Sequence, residues 1–220
     1  MFADTKLVNL FPVPLWVHAL NPEDAASVNE SALAAIPRLR AAKPGLDPGE
    51  AWQTDNSLQD DPAFSVLSDF IHEATEGVLG YLSVDYESFL VTGLWANVTP
   101  AGSPWHRSHT HPNNFLSGVY YVKTPAGANT IIFSDPKPQT NIIAPALAER
   151  NAHNSRNAQI DVEPGNLILF PAWLPHSVNP NNGESDRVSI SFNIMFTQFG
   201  ERMSNPKWEY EAGMSSGRTR

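Results

Sequence analysis

The sequence contains no cysteine, and that absence excludes several kinds of chemistry at once. Disulfide bridges, zinc–thiolate sites, iron–sulfur clusters and thiol nucleophiles all need a sulfhydryl side chain. Any metal ion that side chains of this protein hold must therefore be bound through His, Asp or Glu. The chain has seven histidines, and four of them occur in segments that point to a metal site.

Basic residues are also scarce, since 14 Lys and Arg stand against 23 Asp and Glu, which gives a formal net charge of −9. Sequence-independent binding of nucleic acid needs a basic face, so no nucleic-acid partner is expected. No run of 18 apolar residues occurs, and the first residues lack the pattern of a signal peptide. We therefore expect a cytoplasmic protein without a membrane partner. Its 41% of hydrophobic residues is enough to build a core.

Residues 1–85 carry the start signals of two helices. The first helix is predicted to begin at Asn21-Pro22, where a capping side chain precedes a proline at the first helical position. It should end at Pro37 or Pro44, because proline lacks the N–H that helix continuation needs. The second helix is predicted to begin at Asp61-Pro62. Apolar residues follow both starts at helical spacing, namely Val28, Leu33 and Ile36 in the first helix and Phe64, Leu67, Ile71, Ala74 and Val78 in the second.

From Phe89 onward the sequence changes to short segments rich in β-branched and aromatic residues, separated by Pro, Gly and Asn. Many short strands at this spacing are typical of a sandwich or barrel. Residues 134–158 form a longer polar connection that is either an active-site lid or a surface loop. We expect a single domain over residues 1–220, which divides into a helical part (1–85), a β core (86–200) and a frayed tail (201–220).

Three histidines, His106, His109 and His111, lie close together in the segment WHRSHTHP. Alternate residues of an extended chain point to the same side, so the imidazoles of His109 and His111 could converge on one ion. We expect His106 to lie in a loop or behind the ligands. Histidine also occurs by chance in polar loops, and a hydrophilic loop leading into the next strand is the alternative interpretation.

A further histidine, His176, follows an apolar run from Leu167 to Phe170 and a turn bounded by prolines. The run is typical of a strand buried on both sides. An imidazole at the end of such a strand can be a hydrogen-bonded core residue with no further role. Beside the His109-x-His111 pair, however, a distant third histidine is a standard way to complete an open divalent-metal site.

The segment RVSISFNIMF alternates polar and apolar residues. Arg187 and Ser189 lie on its polar face with Ser191 and Asn193. An arginine and a serine on one strand face can hold a carboxylate, the guanidinium through two parallel hydrogen bonds and the hydroxyl through a third. An ordinary exposed strand edge would show the same alternation. That alternative leaves the order H-x-H, then H, then R-x-S unexplained.

This order resembles the 2-oxoglutarate- and Fe(II)-dependent oxygenases, whose pattern is H-x-D/E, a distal His and an Arg or Lys further along. The resemblance covers roughly residues 89–196. The segments HTHPNNFLSGVYYV, FPAWLPHSVNPN and RVSISFNI are similar to a largely uncharacterised branch of that superfamily. The resemblance implies an α+β, mainly β fold, in which N-terminal helices pack on one sheet of a double-stranded β-helix (a jelly-roll or cupin-like barrel).

The resemblance also implies the cosubstrates Fe(II), 2-oxoglutarate and O2, together with a set of site residues. His109 and His176 would bind the iron. Arg187 and Ser189 would hold the distal carboxylate of 2-oxoglutarate. No catalytic side chain is predicted beyond the metal centre.

His111 is the main departure from the family pattern, because it stands where these enzymes usually have a carboxylate ligand. No Asp or Glu lies between Val98 and Asp135 to replace it. We expect His109, His111 and His176 all to bind the metal, which leaves the site one charge more positive than usual. The alternatives are a displaced His111 that leaves a position open, or a site that has lost oxygenase chemistry.

Softer candidates surround this set of residues. We assign Tyr120, or Tyr121 beside it, and Asn193 to the 2-oxoglutarate site. Trp105 and Trp173 flank the predicted ligands and either wall off the iron or simply pack in the core.

The resemblance implies a hydroxylase that acts on an unidentified small molecule or peptide and releases succinate and CO2.

Asn97 is expected to cap a turn rather than to face the site. A homodimer, the commonest soluble oligomer, is kept as an option.

Two rival functions remain open. A cupin-type enzyme could use three histidines without 2-oxoglutarate, and Pro171, five residues before His176, matches part of a cupin motif. No Glu follows His111 at the first cupin motif's spacing, however, and a cupin gives no reason for Arg187 and Ser189. The other rival is a non-catalytic β-barrel binding module, whose structural metal, if any, would be closed off by a fourth protein ligand.

Overall fold

The computed structural model describes residues 1–43 and 51–198, which form a mainly β structure with two helices and two antiparallel sheets. This agrees with the predicted fold class. The helices are α1 (Pro22–Ala42) and α2 (Ser65–Tyr81). The strands are β1 (Trp16–Ala19), β2 (Trp52–Gln53), β3 (Phe89–Thr99), β4 (His106–His109), β5 (Leu116–Lys123), β6 (Thr130–Ser134), β7 (Asn157–Asp161), β8 (Asn166–Pro171), β9 (His176–Val178) and β10 (Arg187–Phe196).

Helix α1 begins as predicted but ends later. The side chain of Asn21 accepts a hydrogen bond from the backbone N–H of Asp24 at 2.9 Å, and a proline follows at the first helical position. The prediction that Pro37 ends the helix is wrong, since the helix continues to Ala42. Because Pro37 has no N–H, the helix lacks one hydrogen bond, the one to the carbonyl of Leu33. Leu33 lies on the solvent side of the helix, with 41% of its surface exposed. The other predicted end, Pro44, lies outside the described residues.

Helix α2 follows a short 3-10 turn at Pro62–Phe64. Asp61 caps this turn by accepting a hydrogen bond from the backbone N–H of Ala63 at 3.1 Å, and the α-helix itself begins later than predicted, at Ser65. The buried residues of the helix recur at helical spacing and define one apolar stripe: Leu67, Ile71, Thr75, Val78 and Leu79.

The larger sheet has the order β1-β8-β5-β10-β3-β2, and the smaller one has the order β4-β9-β6-β7. Strand β10 lies in the middle of the larger sheet, paired along its whole length with β3 and over most of it with β5. The interpretation of β10 as an exposed edge is therefore wrong. The residues on both of its faces are buried or half-buried, so each face lies against another part of the protein.

The apolar face of β10 packs into the main core. One cluster of buried side chains joins the two helices to this face, including Val28 of α1, Ile71 of α2, and Ile190 and Phe192 of β10. A second cluster lies around Ile131, Phe133, Ile168 and Phe170 and contains side chains from both sheets. The polar face of β10 consequently faces the smaller sheet, and this is where the candidate site lies.

The predicted long connection between strands is present. Residues 135–156 contain no strand, and their one regular element is a 3-10 turn at Pro138–Asn141. Ile142 and Ile143 are 77% and 79% exposed. Whether this connection acts as a lid stays a prediction, and the predicted tail (201–220) lies outside the described residues.

Within the described chain, no helix combines the length and apolar character that a membrane crossing requires.

Gly118 of β5 is predicted to be essential for packing the two central strands. A Cβ added there would overlap the Phe192 ring and lie 2.6 Å from the carbonyl oxygen of Ile168. We expect Gly118→Ala to lower the free energy of unfolding by about 1–3 kcal/mol. The control is Gly77→Ala in α2, where a Cβ meets nothing within 4 Å and helix propensity should add about 0.5–1 kcal/mol. Urea titration measures both variants, and equal stability of the two would contradict this packing argument.

Candidate metal centre and cavity

The structure brings His109, His111 and His176 together. Their strands pair so that His109 lies opposite His176, and the backbone N–H of His111 donates to the carbonyl of Ala172 at 2.9 Å. One ring nitrogen from each of the three lies within 4.8 Å of the other two. Residues far apart in the sequence thus form a compact cluster of potential nitrogen ligands.

Backbone carbonyls fix the orientation of two of these rings. Nδ1 of His176 lies 3.0 Å from the carbonyl oxygen of Leu174, and Nδ1 of His109 lies 2.9 Å from that of Arg107. A carbonyl oxygen only accepts hydrogen bonds, so each Nδ1 carries the proton and each Nε2 keeps a lone pair. The hydrogen bond from Nδ1 to the carbonyl orients each imidazole and selects the tautomer whose Nε2 can bind a metal.

Burial favours the neutral form of two of these histidines. It lowers the pKa of His176 to about 4, with the positive charges of nearby histidines adding to the effect and the Leu174 carbonyl opposing it. Desolvation, followed by the charges of His109 and His106, lowers the pKa of His111 to about 4 as well. The Nε2 atoms of His111 and His176 are 3.4 Å apart. Neutral imidazoles facing one another at this distance are suited to hold a divalent ion in place of a shared proton.

The cluster is open on one side. Among the described residues, no fourth His, Asp or Glu joins the three histidines at ligand distance. Structural metal sites are usually closed by four protein ligands, whereas catalytic sites keep positions free. The donor set therefore fits a borderline divalent ion with exchangeable positions.

The histidines lie in a cavity of about 330 Å³ between the two sheets. The polar face of β10 forms part of its wall, as predicted, and the following residues of that strand line it: Arg187, Ser189, Ser191 and Asn193. No Asp or Glu contributes to the described lining. The cavity thus has a nitrogen cluster and an arginine but no negative charge.

Arg187 is buried without a counter-ion. Only 6% of its surface is exposed, Nη2 donates to Thr99 Oγ1 at 3.3 Å, and Nη1 has no hydrogen-bond partner. No described carboxylate forms an ion pair with it. Desolvation lowers its pKa, and nearby Tyr121 opposes that shift. A buried guanidinium in this state is a strong site for an anion entering the cavity.

The assignment of Tyr120 to the 2-oxoglutarate site needs correction. Tyr120 points to the helix side of the sheet, where its hydroxyl donates to Asn29 Oδ1 at 2.9 Å, and burial raises its pKa to about 12. Tyr121, the alternative, lines the cavity and lies opposite Ser189 in the β5–β10 pairing. Opposed residues of an antiparallel pair share a face, which is why Tyr121 and not Tyr120 faces the site.

Asn97 does not cap a turn, contrary to the prediction. It lies within β3 and lines the cavity, where its Nδ2 donates to Ser191 Oγ at 3.0 Å. Gln53 Nε2 donates to Asn97 Oδ1 at 2.6 Å. Asn193 also lines the cavity, and its Oδ1 accepts a hydrogen bond from Ser117 at 2.7 Å. A row of amides and hydroxyls therefore extends the polar wall beyond Ser189.

The two tryptophans beside the predicted ligands neither pack in the core nor enclose the metal cluster. Trp105 and Trp173 are 57% and 55% exposed. Trp95 instead lines the cavity, with its ring centroid 6.0 Å from that of His111. Its alternation with Asn97 along β3 is the sequence signal that could have identified it. His106 stacks on His109 with ring centroids 4.9 Å apart, but it lies in strand β4 and lines the cavity, so it is neither in a loop nor behind the ligands.

Comparison with known proteins supports the motif analysis. A family model described as "Putative 2OG-Fe(II) oxygenase" matches residues 93–193. This segment contains the three clustered histidines and Arg187. No curated protein matches the chain.

Several solved structures are similar in fold. The α-ketoglutarate-dependent epimerase SnoN of nogalamycin biosynthesis has a TM-score of 0.61 at 14% identity, over 84% of this chain and 79% of that one. A Pseudomonas putida prolyl-4-hydroxylase has a TM-score of 0.56 at 16% identity, over 84% and 93%. HygX from Streptomyces hygroscopicus, solved with nickel and 2-oxoglutarate, has a TM-score of 0.55 at 13% identity, over 85% and 84%. The family match confirms the predicted resemblance to the 2-oxoglutarate- and Fe(II)-dependent oxygenases, and the solved structures show that the fold is shared.

The histidine cluster predicts a defined metal-binding behaviour. We expect the wild-type protein to bind one Fe(II) or Mn(II) per chain and His176→Ala to bind none stoichiometrically. His111→Ala should weaken binding at least about tenfold, since removing a ligand costs more than about 1.4 kcal/mol. Anaerobic metal titration with elemental analysis measures this, with His153→Ala as the control because His153 lies in the long connection. Full iron affinity in His111→Ala would disprove ligation by three histidines.

The lowered pKa values predict a pH dependence of stability in the metal-free protein. Between about pH 6.5 and 4 the unfolded chain takes up a proton at His176 while the folded protein does not. The free energy of unfolding should therefore fall as the pH falls through this window, by at most about 1.4 kcal/mol per pH unit for this histidine. Urea unfolding in EDTA should show a shallower decline for His176→Asn. Parallel curves for the variant and the wild type would contradict the buried neutral state.

Proposed function

We propose that this protein is an Fe(II)- and 2-oxoglutarate-dependent oxygenase whose iron is held by His109, His111 and His176. The observation that carries the proposal is the buried, unpaired guanidinium of Arg187 in the same cavity as the histidine cluster. A cosubstrate with a carboxylate to place there accounts for it.

The charges of the cavity support a dianion in particular. Three neutral imidazoles leave the full double charge on a ferrous ion, and Arg187 adds one more. The described lining offers no carboxylate to offset them. One carboxylate of 2-oxoglutarate on the guanidinium and the other at the metal would compensate most of this charge in a medium of low dielectric constant.

Each wall residue then has a task in binding. Arg187 takes the distal carboxylate through parallel hydrogen bonds, Ser189 offers its hydroxyl, and Tyr121 lies beside Ser189 on the same wall of the cavity. Trp95 and Phe170 exclude water next to the histidines. These residues position the cosubstrate and keep the interior dry.

Bound Fe(II) would supply the activation of O2, coupled to the conversion of 2-oxoglutarate and O2 to succinate, CO2 and one oxygen atom inserted into a substrate C–H bond. The three histidines keep the remaining coordination positions free for this chemistry. Hydroxylation is our proposal for the outcome. Structures similar to this one include an epimerase and a hydroxylase, and the reaction is decided by how the substrate is placed.

We further infer that the two sheets are the halves of a double-stranded β-helix and that the chain forms a single domain. The substrate is a small molecule or a peptide, and the helical part (residues 1–85) would take part in its selection. A cupin-type enzyme without 2-oxoglutarate leaves the buried Arg187 unexplained. A binding module with a structural metal does not fit a cluster that lacks a fourth described ligand.

Replacing Arg187 tests the proposed cosubstrate. We expect Arg187→Ala to keep one Fe(II) or Mn(II) per chain but to bind 2-oxoglutarate at least about 100-fold more weakly, because truncation removes a charge-assisted pair worth about 3 kcal/mol or more. Arg187→Lys keeps the charge but not the fork of two N–H donors. Its affinity for 2-oxoglutarate should therefore lie between those of the wild type and Arg187→Ala. Isothermal titration under anaerobic conditions measures the affinities. Unchanged 2-oxoglutarate affinity in Arg187→Ala would overturn the oxygenase assignment.

A further inference from the structure

A second cavity of about 620 Å³ adjoins the metal cavity. The two share part of their walls, including Gln53, Thr99, His106 and Arg187. We call the second one the outer cavity, and its own described walls are formed by Lys43, Trp52, Pro104, Trp105 and Arg107. A ligand in the outer cavity would therefore lie next to the histidine cluster, on the far side of the shared wall.

The described walls of the outer cavity are positively charged although the protein is acidic. Lys43, Arg107 and Arg187 line it, and its described walls contain no Asp or Glu. Lys43 is bonded to Asp55 at 2.8 Å, so its charge is largely compensated. The side chain of Arg107 forms no ion pair with any described residue. In a chain with a net charge of −9, this local reversal of sign favours an anionic ligand.

The same cavity presents an aromatic surface. Trp105 is 57% exposed and lies two residues before Arg107, whereas Trp52 is buried at 5% exposure with its Nε1 donating to the carbonyl of Lys43 at 3.0 Å. An indole left this open offers a flat apolar face for a ligand to cover. Trp173 is equally exposed but lines neither cavity, so exposure alone does not distinguish Trp105.

We propose that the outer cavity is the site of the primary substrate and that it takes an organic anion with a flat apolar portion. The carboxylate or phosphate of the substrate pairs with Arg107, and its apolar portion lies against Trp105. The part of the substrate nearest Gln53, Thr99 and His106, which border both cavities, would carry the reacting C–H bond. Arg187 remains available to 2-oxoglutarate. This inference rests on the proposed function for its chemistry but not for its binding site.

Four probes that share one ring test the inference: benzoate, phenyl phosphate, benzyl alcohol and benzylamine. Each is titrated calorimetrically into the full-length protein loaded with Mn(II) alone and with Mn(II) plus 2-oxoglutarate. We expect one or both anions to bind and the alcohol and the amine to bind at least about tenfold more weakly. The comparison of benzoate with phenyl phosphate identifies which oxyanion the site prefers.

Matched variants locate the binding. Arg107→Gln and Trp105→Ala should each weaken the anionic probe about tenfold, because the first removes a charge-assisted hydrogen bond and the second removes an aromatic surface. Arg150→Gln removes an arginine from the long connection, and Trp173→Ala removes an equally exposed tryptophan. Both controls should leave probe affinity within about twofold of the wild type. All four variants should bind 2-oxoglutarate as the wild type does.

Several results would overturn the inference. They are equal binding of all four probes, no measurable binding of either anion below about 10 mM, unchanged affinity in Arg107→Gln, and displacement of 2-oxoglutarate by the probe. The last result would place the probe on Arg187 instead of Arg107. Failure of the wild type to bind 2-oxoglutarate would count against the proposed function instead, and the titration with Mn(II) alone still decides whether the outer cavity binds anions.

Discussion

The two-sided pairing of β10 is the constraint on which the rest of the structure depends. Because β3 and β5 flank it, both edges of β10 are hydrogen-bonded within the sheet. Its alternating sequence then divides the protein, since Ile190 and Phe192 enter the core beneath the helices while Arg187 and Ser189 face the smaller sheet. A shift of one residue in register would exchange these two sets, burying the arginine in the core and exposing the apolar residues. The packing of the core and the placement of the anion site are thus fixed together.

This arrangement would also link the proposed metal site and the proposed anion site electrostatically. Desolvation favours the neutral, metal-binding form of His111 and His176, and the described lining contributes no carboxylate. The positive charges of a divalent ion and of Arg187 would then share one poorly solvated cavity. That state is unfavourable unless an anion bridges them, and a dicarboxylate is the ligand that does so with least rearrangement. The positively charged outer cavity extends the same logic to the substrate.

Local rules predicted much of this. Capping residues and helical spacing located both helices, and the period of two along a strand placed His109 with His111 and Arg187 with Ser189 on common faces. Features that depend on how the strands pair could not be predicted from neighbouring residues in the sequence. Whether Tyr120 or Tyr121 faces the cavity depends on the β5–β10 register, although Ser117, a polar residue on the same face as Tyr121, is a clue. Gln53 lies on a strand of two residues with no pattern to detect, and the exposure of Trp105 and Trp173 depends on turns whose direction the tertiary structure determines.

The central claim is that one cavity binds a metal through three histidines and a dianion through Arg187. The most direct measurement is a crystal structure of the protein with Mn(II) and 2-oxoglutarate, in which anomalous scattering locates the metal. The account predicts a single peak about 2.1 Å from Nε2 of His109, His111 and His176, with the distal carboxylate paired to Arg187. A metal that leaves His111 unbound, or a 2-oxoglutarate whose carboxylates both avoid Arg187, would contradict it.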